Sequence, residues 1–256
     1  MARCAGVFLD AGANRGDTLF SWYRAPACVD GPRLKNTLPP PKPGGPCDWK
    51  WPWWLPLETR RTWCAESYEA NANFTRPLRQ TAAVLRAELP AVASIAVHTS
   101  TAVGVRDGVA LLGVDAVHGV GSSLQLQRRA MDQGWRAGLG EPVGRITQRV
   151  RVVDAVRVVA DLGATGVPVA LKLDIEGTEY EVLRDLMLTG LLCRHVQTLW
   201  VEFHQPAAPA ARAAPAPSRA AFEWTLRSHN ASWEALEREW LPLASARCAT
   251  TLLRWD

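Results

Sequence analysis

The chain has 256 residues, a formal net charge of +4, 48% hydrophobic and 21% charged residues. That length supports one substantial core, and a positive charge this thinly spread, with no run of Lys or Arg, argues against a nucleic-acid partner. No apolar stretch is long enough to span a membrane, and the first residues do not read as a signal peptide.

Val7-Phe8-Leu9-Asp10 is a short apolar run stopped by Gly12, which predicts a buried strand. A helix follows over 13–23. From 24 to 60 the composition shifts to Pro and Gly, with Trp49, Trp51, Trp53 and Trp54 among them. So many prolines suit neither central strands nor helix interiors, and the segment reads as an insertion. Its tryptophans could cover an acceptor cleft or anchor the loop. A strand is expected at 62–66, a helix at 69–88, and strands at 93–98 and 109–114. Residues 148–152 alternate and read as an edge strand, followed by a helix at 153–162. The apolar run 169–174 predicts a further strand, then a helix at 178–189 and a strand at 196–203. Residues 206–221 are low-complexity Ala/Pro and read as a loop. A helix at 222–241 and a strand at 248–255 close the chain. Strands alternating with helices predict an α/β fold: a Rossmann-like, doubly wound, mainly parallel sheet in one domain over 1–256.

In such a sheet ligands bind outside the carboxyl ends of the strands. The polar residues expected there are Asp10, Glu66, Asp174 with Glu176, and Glu202 with His204. Each alone could cap a helix; together they point to one site. The first turn, Asp10-Ala11-Gly12-Ala13-Asn14-Arg15-Gly16, spaces its glycines as GxxxG and not as the GxGxxG of dinucleotide sites. A dinucleotide needs backbone amides packed on a pyrophosphate. S-Adenosylmethionine has no phosphate and needs room across the turn plus a carboxylate for its amino group, which Asp10 and the backbone at Gly12 supply. Glu66 is the carboxylate expected to accept the ribose hydroxyls, the 24–60 insertion accounting for its distance from the turn.

The blocks VFLDAGANRGDTL, WCAESYEAN, AVGVRDGVALL, GSSL, VRVVDAV, LKLDIEGTEYEVL and LWVEFH occur in order between Val7 and His204. In this order they resemble the FkbM-type methyltransferase family, and the KxDxEGxE segment is the most specific piece. The resemblance implies a class I methyltransferase fold, S-adenosylmethionine as donor, and O-methylation of a sugar, glycan or other hydroxylated small molecule. It implies that Asp10, Gly12, Asn14 and Gly16 form the methionine-side loop and Glu66 the ribose ligand. Ala102-Val103-Gly104 corresponds to the adenine-side turn, and Asp174 and Glu176 border the transfer site. Ser67 departs from the family, which usually has Pro after the acidic residue.

Candidate bases for the acceptor hydroxyl are Asp174, Glu176, Glu202 and His204. Asp174 with Glu202 could instead hold a divalent cation, though no metal is assigned. Lys172, inside an apolar strand, reads as a structural ion-pair partner. The rival readings are an inactive binding module and a nicotinamide-dependent oxidoreductase.

None of the six cysteines forms a CxxC pair, so a structural zinc site is not expected. Cys28 and Cys47 flank the Pro/Gly-rich loop and are the expected disulfide. With Asp10 and Glu66 aligned, Cys4 and Cys64 stand four residues out of step, roughly 13 Å, and are not expected to pair. The sequons Asn73-Phe74-Thr75 and Asn230-Ala231-Ser232, with the expected disulfide, tilt the compartment toward a secretory lumen.

Overall fold

The computed structural model describes residues 4–24, 55–89, 92, 94–114, 122, 124, 147–204 and 250–254. A six-stranded, all-parallel sheet forms the centre, in the order β3-β2-β1-β7-β8-β9. Its strands are β1 (Val7–Ala11), β2 (Cys64–Glu69), β3 (Ile95–Thr99), β7 (Val169–Leu173), β8 (Val196–Val201) and β9 (Thr251–Arg254). The helices are α1 (Asp17–Arg24), α2 (Leu57–Arg60), α3 (Thr75–Glu88), α4 (Ala155–Gly163), α5 (Glu179–Leu188) and α6 (Leu191–His195).

The period of two in the central strands explains the layering. Phe8, Ala170 and Trp200 point to one face, where they meet Leu19, Trp22 and Tyr23 of α1 and Leu78, Ala82 and Leu85 of α3. Leu9, Leu171, Leu199 and Val201 point to the other, against Val158 and Val159 of α4, Val182, Leu183 and Leu186 of α5, and Leu191 and Leu192 of α6. Both faces are therefore dry, as the unbroken apolar runs require. Stacking of Phe8 on Trp22 at 4.1 Å, with Trp200 edge-on to both, fills the first face with large rigid rings. The doubly wound parallel sheet expected from the sequence is present.

A second sheet has the order β4-β6-β5, from β4 (Thr101–Gly104), β5 (Gly108–Gly113) and β6 (Thr147–Asp154). Here two expectations change. The segment read as an edge strand at 148–152 is the middle strand, parallel to β4 and antiparallel to β5. Its alternating pattern reports one buried face but not how many neighbours it has. Ala102-Val103-Gly104, expected as a turn, is β4 itself and is buried throughout.

The cysteine expectation is overturned: Cys4 and Cys64 form a disulfide, with Cα atoms 5.5 Å apart. The strands align Asp10 with Ser67 and Val7 with Cys64, so the offset is smaller than Asp10–Glu66 alignment gives. The chain also bends at Ala5, where Ala5 N–H bonds to the Thr62 carbonyl, before β1 begins. The bend returns Cys4 toward β2. Cys193 is disulfide-bonded as well. Cys28, Cys47, the tryptophans at 49–54, the 206–221 loop and the 222–241 helix lie outside the described residues.

Candidate active site

The site sits where β1, β2, β7 and β8 end. Gly12 closes the approach of β1 to β7: its φ is +86°, and a Cβ there would lie 1.7 Å from the Asp174 carbonyl oxygen. Only glycine fits that position. Beyond it, the turn's amides are already bonded. Gly12 and Ala13 N–H both donate to the Tyr68 carbonyl at 3.0 Å, Asn14 N–H to Glu69 Oε2 at 2.6 Å, and Gly16 N–H to the Ala13 carbonyl at 2.8 Å.

A cavity of about 310 Å³ opens above this turn. Of the residues expected in a site, Gly12, Asn14, Ala102, Val103, Asp174, Glu176 and Glu202 line it, together with Glu69, Tyr68, Phe74 and Leu112. The separated pieces of the second sheet thus come to the rim that the central sheet's strand ends form.

Four expected residues do not line the cavity: Glu66, Gly16, Asp10 and His204, the last of which meets the lining carboxylates Glu176 and Glu202. Glu66 does not end β2; the strand runs on to Glu69. Glu66 instead meets His98 of β3, Oε2 to Nε2 at 2.5 Å, beside the stack of His98 on Tyr68. Gly16 does not line the cavity. It lets α3 approach, since a Cβ there would lie 3.0 Å from the Thr81 Cβ. Asp10 is fully buried beneath the rim; among the described residues neither oxygen is hydrogen-bonded, and the nearest cation is Lys172 at 3.5 Å. Burial drives the Asp10 carboxyl above its usual range, while Lys172 opposes that shift.

Lys172 is the buried charge that ties the rim together. Its Nζ donates to the Gly12 carbonyl at 2.8 Å and to Asp174 Oδ2 at 2.9 Å. Burial works against this ammonium, but Asp174 and Asp10 outweigh it and raise its pKa. The ion-pair role expected for Lys172 is what the geometry shows.

Glu69 is the carboxylate the sequence reading passed over. Besides Asn14 N–H, it accepts Asn71 N–H at 2.6 Å. Burial raises its pKa against those two bonds. Glu179 was also missed, although it ends the KxDxEGxE segment. It is fully buried, accepts the N–H groups of Ile175 (2.9 Å) and Gly177 (2.9 Å), and accepts Nδ1–H of His204 at 2.9 Å. Two acids in the first turn of α5, placed to catch the loop's amides, were the available signal.

That bond turns Nε2 of His204 toward Glu176 (3.4 Å), Glu202 (3.6 Å) and Asp174 (3.9 Å). Burial disfavours the imidazolium, but the hydrogen bond to Glu179 and the neighbouring carboxylates of Glu202 and Glu176 overcome it, pushing the pKa up to about 11. Glu176, with a positive φ of 59°, is raised by burial to about 7, with His204 opposing and Asp174 adding to the rise. Asp174, Glu202 and His204 offer donor atoms within 4.8 Å of one another, a spacing a cation could bridge. The imidazolium already supplies positive charge there, and we assign no metal to it.

The methyltransferase FkbM domain family matches this chain over residues 10–229, which includes every residue of the rim. No curated protein and no solved structure matches it.

Proposed function

The chain belongs to the FkbM methyltransferase family, and on that premise we propose that it moves the methyl group of S-adenosylmethionine to a hydroxyl oxygen of a sugar, glycan or other hydroxylated small molecule. The observation that carries this reading is the charge of the cavity wall. Glu69, Asp174, Glu176 and Glu202 line it, and among the described residues no Lys or Arg does. Such a wall attracts a cation and repels phosphate. S-Adenosylmethionine carries a sulfonium and an amino group. A nicotinamide dinucleotide would need free turn amides for its pyrophosphate, and those of Gly12, Ala13 and Asn14 are occupied. The carboxylates crowded on this rim also favour an enzyme over an inactive binding module, which has no use for a proton acceptor at the cavity.

We assign the ribose hydroxyls to Glu69 in place of Glu66, the methionine portion to the turn at Gly12 and Asn14, and the adenine to the apolar side at Ala102 and Val103. Asp10 and Gly16 support the rim from behind. When bound, the donor supplies a methyl carbon activated by a positively charged sulfur. The chain's residues must align the acceptor and take its proton. Glu176 faces the cavity and half-ionises near neutrality, which suits a general base. His204, held as an imidazolium, is not a proton acceptor; it keeps Glu176, Asp174 and Glu202 in position.

Calorimetric titration of three proteins tests the cofactor assignment. Unaltered protein is expected to bind S-adenosylmethionine and give no heat with NAD. Glu69→Gln is expected to lose roughly 10–100-fold in affinity, the worth of a hydrogen bond to a charged group, and Glu66→Gln to keep it. Binding of NAD, or a loss confined to the Glu66 variant, overturns the reading. Thermal melts of each variant separate lost binding from lost folding.

A further inference from the structure

We propose that Asn73 is an N-glycosylation site and that this domain matures in the oxidising lumen of the secretory pathway. The inference does not depend on the methyl-transfer reading.

Asn73-Phe74-Thr75 is a sequon; Asn73 and Phe74 lie in a single 3-10 turn, Ala72–Phe74, and Thr75 opens α3. The turn is anchored by its neighbours. Asn71 is buried and accepts Asn73 N–H through its side chain at 3.0 Å, and Phe74 is buried against the cavity. Asn73 itself is exposed, and its side-chain amide makes no hydrogen bond among the described residues. A substituent on that nitrogen breaks no hydrogen bond among the described residues, and the side chain that carries it is exposed.

The second observation is independent of the first. Cys4, Cys64 and Cys193, all the cysteines among the described residues, are disulfide-bonded. Reducing compartments keep thiols free, whereas the lumen where sequons are modified also oxidises them. An exposed acceptor and fully oxidised cysteines therefore specify the same compartment.

The donor is a lipid-diphosphate-linked glycan, presented by its own transferase. The Asn73 amide nitrogen attacks the anomeric carbon; a C–N bond forms and the C–O bond to the diphosphate breaks. The lipid diphosphate leaves, and the amide proton passes to a base of the transferase.

The test uses protein isolated from its own cells, alkylated before unfolding and then treated with a peptide amidase in ¹⁸O water. The amidase converts a glycosylated Asn to heavy-oxygen Asp. The expected result is heavy Asp at position 73, with Cys4 and Cys64 protected from alkylation. Thr75→Ala, which keeps Asn73 but removes the sequon, is expected to abolish the label at 73, as is Asn73→Gln. Unmodified Asn73, a label confined to other positions, or alkylated Cys4 and Cys64 overturns the proposal.

Discussion

Glu176→Gln is expected to lower kcat by roughly 10²–10⁴-fold, the usual contribution of a general base, with little change in S-adenosylmethionine affinity. The amide keeps the size and the positive-φ backbone of Glu176 but cannot take a proton. The pH profile is the discriminating readout. Burial holds the Glu176 carboxyl at about 7, so the unaltered enzyme should lose rate as pH falls through that value. Protonation removes the base, and the acid limb should vanish in Glu176→Gln. His204→Gln should move the limb to higher pH, because the imidazolium near Glu176 Oε2 is what lowers its pKa. An unchanged profile in both variants would show that another group accepts the proton.

Lys172→Met is expected to cost about 3–5 kcal/mol of folding stability at neutral pH, the range for leaving a buried charge without its partner. Methionine fills the stem of the side chain, so the loss is electrostatic. It strands Asp10, whose oxygens have no other partner among the described residues, and removes the bond to the Gly12 carbonyl. The pH dependence follows from Asp10. Its folded-state pKa is already above the unfolded value, and losing Lys172 raises it further. The folded state then binds the extra proton, so the variant's stability should fall as pH rises through that pKa and recover on acidification. Urea unfolding at two pH values measures both effects. A variant as stable as the unaltered protein would mean that Asp10 is neutral in the native state and Lys172 serves only the turn.

The features that a short stretch of sequence encodes were readable before any coordinates. Apolar runs such as 169–173 declare buried strands because both faces of the sheet must be dry. Strand ends belong to one rim in any open parallel sheet, so Asp174, Glu176 and Glu202 could be gathered into a site from chain order alone. All three line the cavity.

What depended on pairing between distant segments was not readable. Two acids, Glu66 and Glu69, stand near the end of β2 with the same local chemistry, and only the register of Asp10 with Ser67 puts Glu69 at the cavity. The same register, with the bend at Ala5, brings Cys4 to Cys64. Glu179 reads locally as a helix-start acid; its bond to His204, 25 residues away, exists because β7 and β8 are neighbours. The amino-acid sequence by itself determined the parallel sheet, its helical cover and a carboxylate-rich rim, because periodicity and turn chemistry act over a few residues. Tertiary structure alone decided which carboxylates face the cavity, which cysteines meet and which charge Lys172 balances. Hydrogen-bond register and side-chain packing join residues whose separation along the chain carries no local signal.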